Sequence, residues 1–95
     1  MPQYLASIEL PGASDEQIEA LHKEMASLGF LREIYEFPDI WRTLPKGTYS
    51  TVVPDTPLET ARDAVVAAAR KYCSGQPLVL VIELASWGGY LPCRR

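Results

Sequence analysis

Apolar and polar positions along this chain switch between two repeats, one of two residues and one of three to four. Residues 4–10, YLASIEL, alternate as a short strand does, with Tyr4, Ala6, Ile8 and Leu10 on one side and Leu5, Ser7 and Glu9 on the other. Pro11-Gly12 ends that strand. Ile18, Leu21, Met25 and Leu28 then recur at spacings of three, four and three, one face of a helix. Ser14 and Gln17 predict a capping box at its start, and Gly29 predicts a left-handed residue at its end. Residues 30–37 read as a second strand and Pro38-Asp39 as a turn. Residues 40–53 return as a third strand, with Pro45-Lys46-Gly47 read as a bulge because the alternation persists on both sides of it. Thr56-Pro57-Leu58-Glu59 predicts a second helix capped by Thr56, with Leu58, Ala61, Val65, Ala68, Ala69 and Tyr72 as its buried stripe. Residues 78–84, LVLVIEL, make the last strand. The tail from Ala85 to Arg95 is Gly-rich with two aromatics and fits no element.

The order β-α-β-β-α-β, with right-handed crossovers, predicts an α+β, ferredoxin-like domain: a four-stranded antiparallel sheet with both helices on one face. Ninety-five residues suffice for one such domain, spanning 1–95. The sheet's other face is then uncovered. Leu5, Val79 and Val81 are expected at its centre, where a second copy of the chain would bury them as a homodimer.

Composition narrows the partners. Hydrophobic residues are 47% and charged residues 22%, and the net charge is −3 with a pI near 5.0. That balance argues against a domain that grips nucleic acid by its overall charge and leaves room only for a local basic patch. The longest apolar run, residues 78–82, is far short of the ~20 residues of a membrane span, so no membrane partner is expected. Residues 1–12 have no basic lead and carry Glu9 among the apolar positions, unlike a signal peptide. Cys73 and Cys93 are too few and too far apart for a disulfide framework or a zinc site, and read as free thiols of a cytoplasmic protein.

Candidate chemistry is sparse. Lys46-Gly47 before residues 48–53 matches the opening of an RNA-reading strand, but Thr48, Ser50 and Val53 stand where the stacking aromatics belong. Tyr49, Thr51 and Val53 are expected to face the helices, which makes that strand architectural. Arg32, Trp41, Arg42 and Lys46 form a second candidate, in which Trp41 stacks a base and the cations meet phosphate. The structural alternative has Trp41 covering the sheet end and the cations solvated. His22 is the only histidine and falls at the margin of the first helix's buried stripe, where a boundary residue is the commoner occupant. Glu9 and Glu83 are expected on the uncovered face, at opposite ends of paired strands. Asp15, Glu16 and Glu59 sit at helix starts, where the dipole favours them. Ser86-Trp87-Gly88-Gly89 lacks the following helix of a phosphate loop, and no metal-spaced His or Cys pattern appears, so no metal or cofactor is expected.

Tyr4 with Ser7, Pro11 after the first strand, Leu21 and Met25 in the first helix, Phe30, and Leu44-Pro45 form an ordered pattern over most of the chain. In that pattern the chain resembles the GhoS-type family of small bacterial antitoxins, endoribonucleases with a Cas2-like ferredoxin fold. The resemblance implies a regulatory protein that cleaves a toxin's messenger RNA. It places His22 where the family can carry a basic residue. It also sets Glu9 near a first-strand position that is Asp in the related metal-dependent nucleases, a departure from that chemistry. The catalytic candidates are therefore His22 and Glu9, with Arg32 or Arg42 at the phosphate of a 2′-hydroxyl attack. The alternative is a non-enzymatic homo-oligomeric or protein-binding module that uses the uncovered sheet face.

Overall fold

A computed structural model describes residues 3–36, 40–52, 56–85 and 91. Their elements run β1 (Gln3–Glu9), α1 (Asp15–Ser27), β2 (Glu33–Glu36), β3 (Ile40–Thr43), β4 (Thr48–Val52), α2 (Leu58–Lys71) and β5 (Leu78–Leu84). The predicted turn at Pro38-Asp39, Val53, the glycines of 86–89 and Cys93 lie outside the described residues.

Local signals set the ends of α1. The Ser14 hydroxyl accepts the Gln17 backbone N–H at 3.1 Å, and the Gln17 side chain accepts the Ser14 N–H at 2.8 Å. At the other end Gly29 has φ +89°, the Phe30 N–H donates to the Met25 carbonyl at 2.8 Å and the Gly29 N–H to that of Ala26 at 3.0 Å. This is a Schellman closure, and it places Phe30 beside Met25 in the core. The start of α2 differs from expectation. Pro57 rather than Thr56 is its cap, and no side chain closes it. The Thr56 carbonyl instead accepts the Tyr4 hydroxyl, which ties this helix start to β1.

β1 is the middle of a three-stranded antiparallel sheet in the order β4-β1-β5. Its even-numbered residues face the helices: Tyr4, Ala6 and Ile8 join Tyr49, Leu21, Met25, Phe30 and the small residues Ala61, Val65, Ala68 and Ala69 of α2 in one core. Burying the larger of these side chains contributes about 1.5–3 kcal/mol each. Tyr49 and Thr51 face the helices as expected, opposite Ala6 and Tyr4.

The expected four-stranded sheet is not formed. β2 and β3 make a separate antiparallel hairpin, Glu33↔Thr43 to Glu36↔Ile40. It meets the main sheet through an isolated bridge in which Leu31 and Ser50 exchange two 2.8 Å backbone bonds. Pro45-Lys46-Gly47 is therefore a break between two strands, not a bulge within one. The Leu44 N–H still donates to the Arg32 carbonyl at 2.9 Å, and Pro45 has no N–H to continue that ladder. Two residues on, the Gly47 carbonyl accepts the Ile8 N–H at 2.8 Å, so the chain has changed partners. A 3.0 Å bond from Thr48 N–H to the Pro45 carbonyl closes the turn between.

The uncovered face also differs. Tyr4↔Glu83 and Ala6↔Val81 fix the register of β5, so Val79 and Val81 pack toward the core and not outward. The outward residues are Leu78, Leu80 and Ile82, 54%, 61% and 38% exposed, opposite Glu9, Ser7 and Leu5. The same register puts Glu9 and Glu83 on opposite faces, where both were expected to point outward.

Candidate functional site

α1 carries Glu19, His22, Lys23 and Ala26 at helical spacing, a stripe flanking the buried one at Leu21 and Met25. This stripe forms one wall of a cleft of about 890 Å³. The opposite wall is the segment following α1, with Arg32 and Glu33, and the turn at Pro45-Lys46-Gly47. The cleft thus lies where the chain changes sheets. Its charged lining is Lys23, Arg32 and Lys46 against Glu19 and Glu33, an excess of one positive charge on a protein of net charge −3.

His22 is the group in it with unusual chemistry. Its Nδ1 lies 2.7 Å from the Tyr49 hydroxyl, and the two rings are tilted by 54° with centroids 5.7 Å apart. Partial burial, the Arg32 charge and, more weakly, Lys46 hold the imidazole below the usual histidine pKa, against an opposing pull from Glu19. Burial pushes the Tyr49 phenol up. Both shifts favour the uncharged groups, and between these the hydrogen bond has two forms. When Tyr49 donates to Nδ1, Nε2 carries the proton; when Nδ1–H donates to Tyr49, Nε2 is left with a free lone pair. The second form is a base.

The sequence-predicted residues divide between two places. His22, Arg32 and Lys46 come together in the cleft, although the sequence suggested no link between His22 and the cations. Trp41 and Arg42 are not among its lining residues. The Trp41 ring meets Tyr35 edge-on at 5.3 Å across the hairpin, and Arg42 Nη1 donates to the Leu91 carbonyl at 3.2 Å. Glu9 borders a second, smaller cavity of about 420 Å³, but the pleat sends its side chain to the uncovered face with Ser7, away from His22. Tyr49 was read only as core, and Glu19 and Lys23 were not singled out. The 19, 22, 23, 26 spacing is the signal that finds the last two.

Among the described residues no three or more His, Cys, Asp or Glu side chains cluster closely enough to hold a metal ion, and no helix is long and apolar enough to cross a membrane. Cys73 is a half-buried free thiol whose Sγ lies 3.8 Å from the Pro11 carbonyl. No protein-family model matches the chain, and no curated protein matches it in sequence.

Proposed function

We propose that this protein is a small regulatory protein, similar to the GhoS-type antitoxins, that acts on RNA through the cleft between α1 and the 45–48 turn. The observation that carries the reading is the His22 imidazole, hydrogen-bonded at 2.7 Å to Tyr49, on the wall of a cleft that also holds Arg32 and Lys46. The architecture supports it as a ferredoxin-like plan whose second strand has been drawn into a hairpin, with Leu31 still bridged to Ser50 where a fourth strand would lie.

In this reading a phosphodiester rests against Arg32 and Lys46, and His22 Nε2 takes the proton of the adjacent 2′-hydroxyl. The 2′-oxygen then attacks phosphorus, the bond to the 5′-oxygen breaks, and water returns a proton to that leaving oxygen. The products are a 2′,3′-cyclic phosphate and a 5′-hydroxyl. The two cations stabilise the extra negative charge that develops on the phosphoryl oxygens.

The test is anisotropy with a labelled single-stranded RNA at several salt concentrations, and gel analysis of the same samples. Each phosphate contact to a single strand adds about 0.7 to the slope of log K against log salt. Arg32→Ala with Lys46→Ala is expected to weaken binding and reduce that slope, while His22→Ala abolishes cut products and leaves binding in place. Binding unchanged in the double variant refutes the reading.

The exposed Leu78, Leu80 and Ile82 favour a second reading, a homodimer through the uncovered face. Sedimentation at high concentration is expected to show a dimer that Leu80→Asp dissociates. A monomer throughout rejects it.

A further inference from the structure

His22, Lys46 and Gly47 line both the 890 Å³ cleft and the 420 Å³ cavity, so the two are compartments of one groove that meet at His22 and Lys46. Their chemistry differs. The larger holds the charges. The smaller is walled by Leu10, Pro11 and Ile18 and by Tyr49, with Lys46 at the shared rim and the Glu9 side chain turned away by the pleat. Its size falls within the ~300–1,000 Å³ of small-molecule sites. Leu10 and Ile18 are only half-buried, so their apolar surface is open to a ligand.

Resting on the reading above, we infer that the smaller compartment holds one unstacked nucleobase of the RNA whose adjoining phosphate lies against Arg32 and Lys46. A base has a flat ring face joined through its sugar to an anion, and the groove has that arrangement: an apolar slot, the half-buried His22 ring, then cations. A base held in the slot has left its helix, so the substrate is single-stranded RNA and a duplex is excluded. Leu10, Pro11 and Ile18 offer a base no side-chain hydrogen bond, so the slot tolerates any base.

The experiment uses the intact protein and three probes, all 2′-O-methylated so that no strand is cut. They are an oligoadenylate of eight residues, the same backbone with every base removed, and an eight-base-pair duplex. Stacking of one base on the His22 ring predicts that the oligoadenylate binds about ten-fold tighter than the abasic strand. It also predicts that the methyl signals of Leu10 and Ile18 shift only with the former. Ile18→Gln, a half-buried position on the helix surface, is expected to narrow that ratio without weakening the abasic strand. Equal affinity for oligoadenylate and abasic strand, or for duplex and single strand, overturns the base slot and leaves the phosphate reading standing. If none of the probes binds, the phosphate reading fails and the slot fails with it.

Discussion

Replacing Gly47 by alanine puts the change of sheets under direct test. Gly47 has φ +80°, and a Cβ there would stand 2.6 Å from the Ile8 carbonyl oxygen. That oxygen belongs to the central strand and cannot rotate aside. The left-handed backbone costs an alanine about 1–2 kcal/mol, of which about 0.4–1 is regained through a stiffer unfolded chain. Relieving the contact shifts the turn and strains the 2.8 Å bond from Ile8 N–H to Gly47, a bond with a net contribution of about 0.5–1.5 kcal/mol. The crowding costs about 1–3 kcal/mol, the strain on this bond being part of it, and with about 1 kcal/mol net for the backbone the total loss is about 2–4 kcal/mol. Gly12 supplies the control. It occupies the same position in a turn closed from Ala13 N–H to the Leu10 carbonyl at 3.1 Å, with φ +76° and nothing within 4 Å of its added Cβ. Gly12→Ala therefore loses only about 1 kcal/mol. Thermal melting followed by circular dichroism reads the difference. At about 4–8 °C per kcal/mol for a domain of this size, Gly47→Ala is expected to melt about 10–25 °C lower and Gly12→Ala about 5 °C lower. Equal losses in the two variants refute the backbone contact as the cause.

Three further outcomes follow from the same geometry. Ser14→Ala removes one half of the α1 capping box and is expected to lower stability by about 0.5–2 kcal/mol in urea unfolding at an unchanged m-value, whereas Ser14→Asp retains most of it. Glu24 accepts Lys71 Nζ at 2.6 Å and the Tyr72 hydroxyl at 3.0 Å, and these bonds hold its carboxyl below the ordinary value. The stability this lends is complete above the unfolded carboxyl's pKa and disappears as pH falls through the lower folded one; Glu24→Gln should therefore be less stable at neutral pH, and a gap that fails to narrow in acid argues against the clamp. Arg32 disfavours the His22 imidazolium, so Arg32→Gln is expected to move the His22 NMR titration upward, and a midpoint that stays put removes Arg32 from the neighbourhood of His22.

What could be read from the sequence depended on range. The capping box at Ser14 and Gln17 and the Gly29 closure were legible because each is decided within a few residues. The helix-facing side of β1 was legible because its small and polar residues mark the alternation. LVLVIEL has no such mark. Glu83 was expected on its outward side with Val79 and Val81, yet Glu83 shares a face with Tyr4 at the strand's end and remains exposed there. Val79 and Val81, at the same alternation, were misplaced with it. The split of residues 40–52 into two strands was also hidden, since alternation continues through the break and only the partners, Arg32 on one side and Ile8 on the other, reveal it. Of the site, the cations and the histidine were each visible. Their meeting was not, because the His22–Tyr49 contact joins residues 27 apart.

The central place of β1 has a consequence for how the molecule is made. Its partner on one edge, β5, leaves the ribosome roughly 75 residues later, a delay of about 4–15 s at about 5–20 residues per second. By the end of that interval Tyr4, Ala6 and Ile8 have β4 and the helices to lie against, but the backbone of β1 facing β5 is still open to any passing strand. A nascent chain stalled before Leu78 is thus a sheet with its middle strand at the edge, a target for chaperones and for proteolysis.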